Sequence, residues 1–167
     1  SLLSRVIENI YVSFILFFGL FFIIDLIIDI PFILYFNFVI EKKFNFNKMT
    51  FGTWISDLIK KIIISSIIGS IILVALTFFL YNFKEIWWIL LWGFFLLFSL
   101  IMQIIYPSII APLFNKFKPL ENKNLKEKIE KLLLDSKLKP DGVFEMDATK
   151  RSSHSNAYFT GIGKTKR

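Results

Sequence analysis

The chain has 167 residues, of which 55% are hydrophobic and 21 are phenylalanine, and it carries a formal net charge of +7. This apolar content excludes a disordered chain, because disordered segments contain too few apolar residues to form a core. The chain has no cysteine and a single histidine, which excludes a disulfide scaffold, a thiol nucleophile and a metal site built from cysteine or several histidines.

Three apolar stretches predict membrane-spanning helices over about residues 10–30, 62–81 and 86–106. A bilayer core of about 30 Å requires about 20 helical residues, and the second and third stretches reach that length almost without charge. We therefore predict a mostly α membrane fold in which residues 1–106 form a transmembrane helical domain.

Two aspartates, Asp25 and Asp29, interrupt the first stretch just before Pro31. Their spacing of four places both on one helix face. Because a charge in hydrocarbon is costly, we expect them to face a bundle interior, a water-filled cavity or the interface. The alternative is that they mark the end of the span near the headgroups, since Pro31 is typical of a helix end or kink.

Charges around the apolar stretches predict the orientation of the chain in the membrane. Lysines outnumber acidic residues in the loop at 41–61, and residues 107–167 carry thirteen Lys or Arg against seven Asp or Glu. Such segments favour the cytoplasmic side, so we predict that both are cytoplasmic in an integral membrane protein, which we place in a bacterial inner membrane. Contact with anionic membrane lipid explains this charge without a nucleic acid partner.

Residues 107–167 predict a soluble segment that contains both helix and strand. The prolines expected to break up the exit from the membrane are Pro107, Pro112 and Pro119. We predict a helix capped by Asn124, then strands over Val143–Asp147 and Asn156–Thr160. Taken alone, a membrane helical domain followed by an α+β segment fits a transporter, a receptor and a membrane enzyme equally well.

Three segments of the sequence resemble the integral-membrane CAAX prenyl proteases of type 1. They are residues 38–50 (FVIEKKFNFNKMT), 110–117 (IAPLFNKF) and 150–161 (KRSSHSNAYFTG). The chain departs from the family at Asn45, where glycine is usual, and at Ala148-Thr149, where Gly-Ser is usual. Since Asn is the next-best residue after Gly in a left-handed conformation, we expect the turn at Asn45 to be kept.

The resemblance implies a zinc metalloendopeptidase whose membrane helices enclose a water-filled chamber. In that family an HExxH helix and a later glutamate hold the zinc, and the metal activates water. The chain contains no HExxH motif. We therefore expect the zinc cofactor only in the intact protein, no catalytic or metal-ligating residue in this chain, and no activity from it alone. Residues 107–167 would be the start of a truncated α+β zinc-peptidase domain.

The resemblance also implies a substrate-binding segment. Asn156, Ala157 and Tyr158 match the strand edge that binds the substrate backbone by β-strand addition in related zinc peptidases, although an ordinary edge strand is the alternative. Asp25 and Asp29 are candidates to line the chamber. The implied partner is a peptide or lipidated protein substrate. The alternative function is a non-catalytic membrane-embedded interaction or scaffold module without a metal site.

Overall fold

The structure, a computed structural model, describes residues 9–136, 142–154 and 157–160. It has two compact units, one up to Leu96 and one from Leu97 onward. Three long helices account for most of the described residues: α1 (Ile10–Tyr35), α2 (Phe51–Asn82) and α3 (Trp87–Ile105). The mostly α membrane fold predicted from the sequence is therefore confirmed.

Two of these helices continue beyond their α-helical part. A first π-helical segment, Phe36–Glu41, extends α1, while a second one, Tyr106–Ile110, joins α3 to the short helix α4 (Ala111–Phe114). With these extensions, three helices are long and apolar enough to cross a membrane, and they span Ile10–Glu41, Phe51–Asn82 and Trp87–Phe114. The first two contain the predicted spans 10–30 and 62–81, the third contains all of 86–106 except Ile86, and each helix is longer than predicted.

Pro31 does not end its helix, and Pro107 and Pro112 do not break up the exit from the membrane as predicted, since the helical span continues to Phe114. α1 runs through Pro31, and Pro107 lies in the second π-helical segment, where it is buried. A proline costs a helix one backbone hydrogen bond and crowds the carbonyl four residues earlier. In an apolar setting, ending the helix would leave more backbone groups unpaired, and a wider π turn relieves the crowding at Pro107.

The first helix ends in a Schellman motif at Asn45. The backbone N–H of Phe46 donates to the Glu41 carbonyl over 2.9 Å, and that of Asn45 donates to the Lys42 carbonyl over 3.1 Å. Asn45 has φ of 60°, the left-handed conformation that such a helix end requires. The expectation that Asn45 replaces a glycine without loss of the turn is therefore confirmed.

The side-chain amide of Asn47 then binds the connection between α1 and α2 to the first helix. Asn47 Nδ2 donates to the Asn37 carbonyl over 2.7 Å, and Asn47 Oδ1 accepts from the Met49 N–H over 2.6 Å. Thr50 caps α2, because its hydroxyl oxygen accepts from the Thr53 N–H over 3.2 Å. The turn between α1 and α2 is thus held by side chains as well as by its backbone.

Aromatic rings pack the first unit together. The ring centroids of Phe38 and Phe51 are 6.0 Å apart, and Phe51 stacks on the buried Trp54 at 5.6 Å. Farther along α2, Phe79 contacts Phe94 of α3 at 6.3 Å. Most other large apolar side chains of the three helices are exposed, as expected for surfaces that face lipid or other membrane helices.

The second unit contains a small antiparallel sheet. Strand β1 (Phe117–Pro119) pairs with β2 (Phe144–Met146), and Phe117 lies opposite Met146. Helix α5 (Lys123–Asp135) lies between them in the sequence. β2 confirms the strand predicted at Val143–Asp147, whereas the three-residue β1 was not predicted, since it is short and ends in proline.

Two predictions for this unit are wrong in detail. The cap of α5 is Asn122, whose Oδ1 accepts from the Leu125 N–H over 3.1 Å. Asn124 is already the second residue of the helix. A cap must precede the helix, so that its side chain can accept from the unpaired N–H groups of the first turn. Residues 157–160 form no strand, and Asn156, the first residue of that predicted strand, lies outside the described residues.

Candidate functional site

The candidate substrate-binding segment begins at Ala157 in the described part of the chain. Ala157 and Tyr158 are exposed, and the Tyr158 hydroxyl donates to the Met146 sulfur over 3.6 Å. Since Met146 is the last residue of β2, this contact places Tyr158 beside the sheet. The third residue predicted for this segment, Asn156, lies outside the described residues.

A compact turn at residues 147–152 precedes this segment. The Ala148 carbonyl accepts from the Arg151 N–H over 3.0 Å and from the Ser152 N–H over 3.2 Å. Asp147 Oδ1 accepts from the Thr149 hydroxyl over 2.9 Å, and Asp147 Oδ2 lies 3.5 Å from the Lys150 ammonium. The Thr149 hydroxyl, and then the Lys150 charge, hold the pKa of Asp147 below its ordinary value.

Replacing Thr149 with Val is expected to raise the pKa of Asp147, because the carboxylate loses the hydrogen bond that favours its charged form. Since the folded-state pKa is lowered, the stabilisation is present at neutral pH and is lost below about pH 4 as the carboxylate protonates. A carboxyl ¹³C NMR titration measures this pKa. Lys150→Gln should give a smaller rise, and an unchanged pKa in Thr149→Val would contradict the assignment.

A long-range hydrogen bond joins this turn to the end of α4. Arg151 Nη1 donates to Asn115 Oδ1 over 2.8 Å, and both side chains are half-buried. In parallel, the Asp147 N–H donates to the Lys116 carbonyl over 3.0 Å. This pair was not predictable from the sequence, because 36 positions separate its members. Both residues lie in segments that resemble the protease family, but a resemblance does not state which residues touch.

An open groove of about 480 Å³ lies next to the end of the candidate segment. Its walls are mainly apolar and come from α3, the second π-helical segment and Thr160. The lining residues are Phe98, Ser99, Met102, Gln103, Tyr106, Pro107 and Thr160. Because Thr160 is two residues beyond Tyr158, a ligand at the segment would have an apolar surface beside it.

Asp25 and Asp29 lie within α1, in the first unit, and both side chains are exposed. α1 continues past them for at least one more turn, so they do not mark the end of the helix. Their predicted place along a water-filled chamber stays a prediction.

The described residues supply no metal site. Among them, no three His, Cys, Asp or Glu side chains cluster closely enough to hold an ion. His154, the single histidine, follows the turn, and its backbone N–H donates to the Ser152 hydroxyl oxygen over 3.2 Å. The donor set that a zinc peptidase needs is therefore not found within the described residues.

Two family models match the chain. The model of the CAAX prenyl protease N-terminal region, described as five membrane helices, matches residues 1–116. The model of peptidase family M48 matches residues 119–167. The two matches follow the order of the molecule, with the membrane helices first and the small sheet and candidate segment second.

Known relatives and a solved structure agree with these matches. A CAAX prenyl protease 1 homolog from Oryza sativa subsp. japonica is 48% identical over 141 residues, which are 84% of this chain and 33% of the relative. The Homo sapiens homolog is 41% identical over 141 residues, covering 83% and 29%. The crystal structure of S. mikatae Ste24p superposes with a TM-score of 0.83 at 39% identity, covering 90% of this chain and 35% of that one.

The chain spans about a third of the length of the curated relatives that it matches. These relatives are eukaryotic and give no support to a bacterial inner membrane. Since one family model alone covers residues 1–116, more than half of the sequence, the chain is an integral membrane protein that belongs to the M48 metallopeptidase family of CAAX prenyl proteases.

Proposed function

We propose that the chain is the N-terminal part of an integral-membrane zinc metalloendopeptidase that hydrolyses peptide bonds of membrane-associated or lipidated proteins. The observation that carries this proposal is the consecutive match of residues 1–116 and 119–167 to the two parts of one protease family. The relatives are named CAAX prenyl protease 1 and its homologs, which supports prenylated proteins as the substrate class.

The contribution of this chain would be to bind and orient the substrate. Asn156, Ala157 and Tyr158 would pair with an extended peptide by β-strand addition. The exposure of Ala157 and Tyr158 and the contact of Tyr158 with Met146 of β2 support this role. The zinc ligands would lie outside this chain, so residues 1–167 alone would be inactive.

The arrangement in the membrane follows the same proposal. Residues 41–61, predicted as a loop although α2 already begins at Phe51, would face the cytoplasm because they are basic. Residues 107–167, the start of the peptidase domain, would face it for the same reason. Residues 1–106 would form the membrane domain. The carboxylates of Asp25 and Asp29, which are exposed on one face of an apolar helix, would line a water-filled chamber, where a charge costs less than in lipid.

The proposal is tested by peptide cleavage with the purified full-length protein. Prenylated and unprenylated fluorogenic peptides should be cleaved, a chelator should abolish cleavage, and added zinc should restore it. Asn156→Ala should raise KM or lower kcat/KM while bound zinc is unchanged. Asn124→Ala makes the same chemical change at an exposed position of α5 and should leave both constants as they are.

The possible outcomes separate the parts of the proposal. A full-length protein that binds no zinc and cleaves no peptide would favour the non-catalytic membrane module. A zinc-dependent peptidase in which Asn156→Ala leaves kcat/KM unaltered would retain the activity but remove the substrate role of this segment.

A further inference from the structure

The hydrogen bond between Arg151 and Asn115 connects two parts of the second unit that are otherwise far apart in the sequence. Asn115 directly follows α4, and its backbone N–H donates to the Ala111 carbonyl over 3.0 Å. The helix therefore fixes the backbone of Asn115. Its side-chain oxygen, 2.8 Å from Arg151 Nη1, is an acceptor with a defined position at the helix end.

On the other side, the turn holds the backbone of Arg151. The Arg151 N–H donates to the Ala148 carbonyl over 3.0 Å, and the Asp147 N–H donates to the Lys116 carbonyl over 3.0 Å. A guanidinium is planar and loses little further freedom when it forms a hydrogen bond. Because the backbone is fixed at both ends, the hydrogen bond of the Arg151 side chain links the turn to the end of α4.

The candidate segment starts six residues after Arg151. Tyr158 is held at β2 by the contact between its hydroxyl and the Met146 sulfur. The turn is thus anchored at the α4 end through Arg151, and Tyr158 is anchored separately at β2. If the first anchor were released, the segment would still touch β2 but would have more freedom in its direction.

We propose that Arg151 is a positioning residue for peptide binding, which acts through Asn115 to fix the turn at 148–152 and, with it, the direction of the Ala157–Tyr158 segment. This inference rests on the proposed function, because it assigns a substrate to that segment. Arg151 touches no substrate in this role. Its effect is to reduce the conformational freedom that the Ala157–Tyr158 segment loses when a peptide binds.

The test uses the full-length protein with Arg151→Gln, Asn115→Ala and the double variant. Each single variant should raise KM for a peptide about fivefold to tenfold, with kcat changed less than twofold. The double variant should be no worse than either single one, since all three lose the same bond. Asn115→Asp keeps an acceptor oxygen and should give a KM near that of the unmodified protein. Lys128→Gln, the same loss of charge at an exposed position of α5, is the matched control.

Two measurements that need no catalysis accompany the kinetics. Amide hydrogen exchange over residues 148–160 should be faster in Arg151→Gln, and a labelled peptide should bind the chelator-treated variant about fivefold to tenfold more weakly. Additive single effects, a loss in kcat with KM unchanged, or unchanged exchange would each overturn the role of Arg151. An unmodified protein that binds the peptide but does not cleave it would overturn only the proposed function, and one that does neither would overturn both.

Discussion

Methylation of alternate backbone amides in a substrate peptide is expected to raise KM about tenfold or more, with a period of two residues. In β-strand addition, every second residue of the peptide points its N–H and C=O toward the protein edge. An N-methyl group removes the donor and adds bulk at the pairing edge, and about 1.4 kcal/mol corresponds to a factor of ten in affinity. Methylation of the intervening amides, which point away, should leave KM nearly unchanged.

The measurement is a set of cleavage assays with the full-length protein and one peptide methylated at successive positions. If Asn156 helps hold the peptide backbone, Asn156→Ala should reduce the difference in KM between peptides methylated at pairing amides and peptides methylated at the intervening amides. Equal effects at all positions would show that the peptide is not bound as an added strand, whatever its affinity. Because only the peptide is changed in the main series, a folding defect of the protein cannot imitate the result.

The membrane helices were predictable because the length and lack of charge of an apolar stretch can be read without knowledge of tertiary contacts. A bilayer fixes the length of an apolar span, and the lack of charge between Ile62 and Leu80 is visible in the sequence. The helix ends were not predictable in the same way. α2 starts at Phe51, well before Ile62, because a helix extends as long as capping and packing allow, and the Thr50 cap and the contacts of Phe51 and Trp54 support that extension.

The same distinction between local sequence signals and tertiary contacts applies to the candidate site. The candidate segment was predicted because its residues resemble a known family in a continuous run, and the left-handed turn at Asn45 was predicted because one residue type is suited to it. The contacts that hold the segment, Tyr158 with Met146 and Arg151 with Asn115, join positions 12 and 36 residues apart. No local pattern identifies such pairs, since many polar residues of the chain have the same chemistry.

Asn47→Ala is expected to lower the free energy of unfolding by about 2 kcal/mol, at about 1 kcal/mol for each hydrogen bond lost. The Asn47 side chain is the donor to the Asn37 carbonyl at 2.7 Å and the acceptor from the Met49 N–H at 2.6 Å. Alanine can do neither, and the side chain is half-buried, so water replaces the lost partners only in part. Reversible unfolding in mixed micelles, followed by circular dichroism or tryptophan fluorescence, measures the loss.

Two further variants in the same turn separate the contributions of the two Asn47 hydrogen bonds to stability. Asn47→Asp keeps the acceptor for Met49 but loses the donor and brings a carboxylate toward the Asn37 carbonyl, so about half of the loss or more should remain. Asn45→Gly changes a neighbouring asparagine whose φ of 60° suits glycine, and stability should be unchanged or slightly higher. If Asn45→Gly were as harmful as Asn47→Ala, the turn would depend on asparagine side chains in general, not on the two bonds of Asn47. If only Asn47→Ala and Asn47→Asp are harmful, the connection between α1 and α2 depends on one amide, which joins the end of one membrane helix to the start of the next.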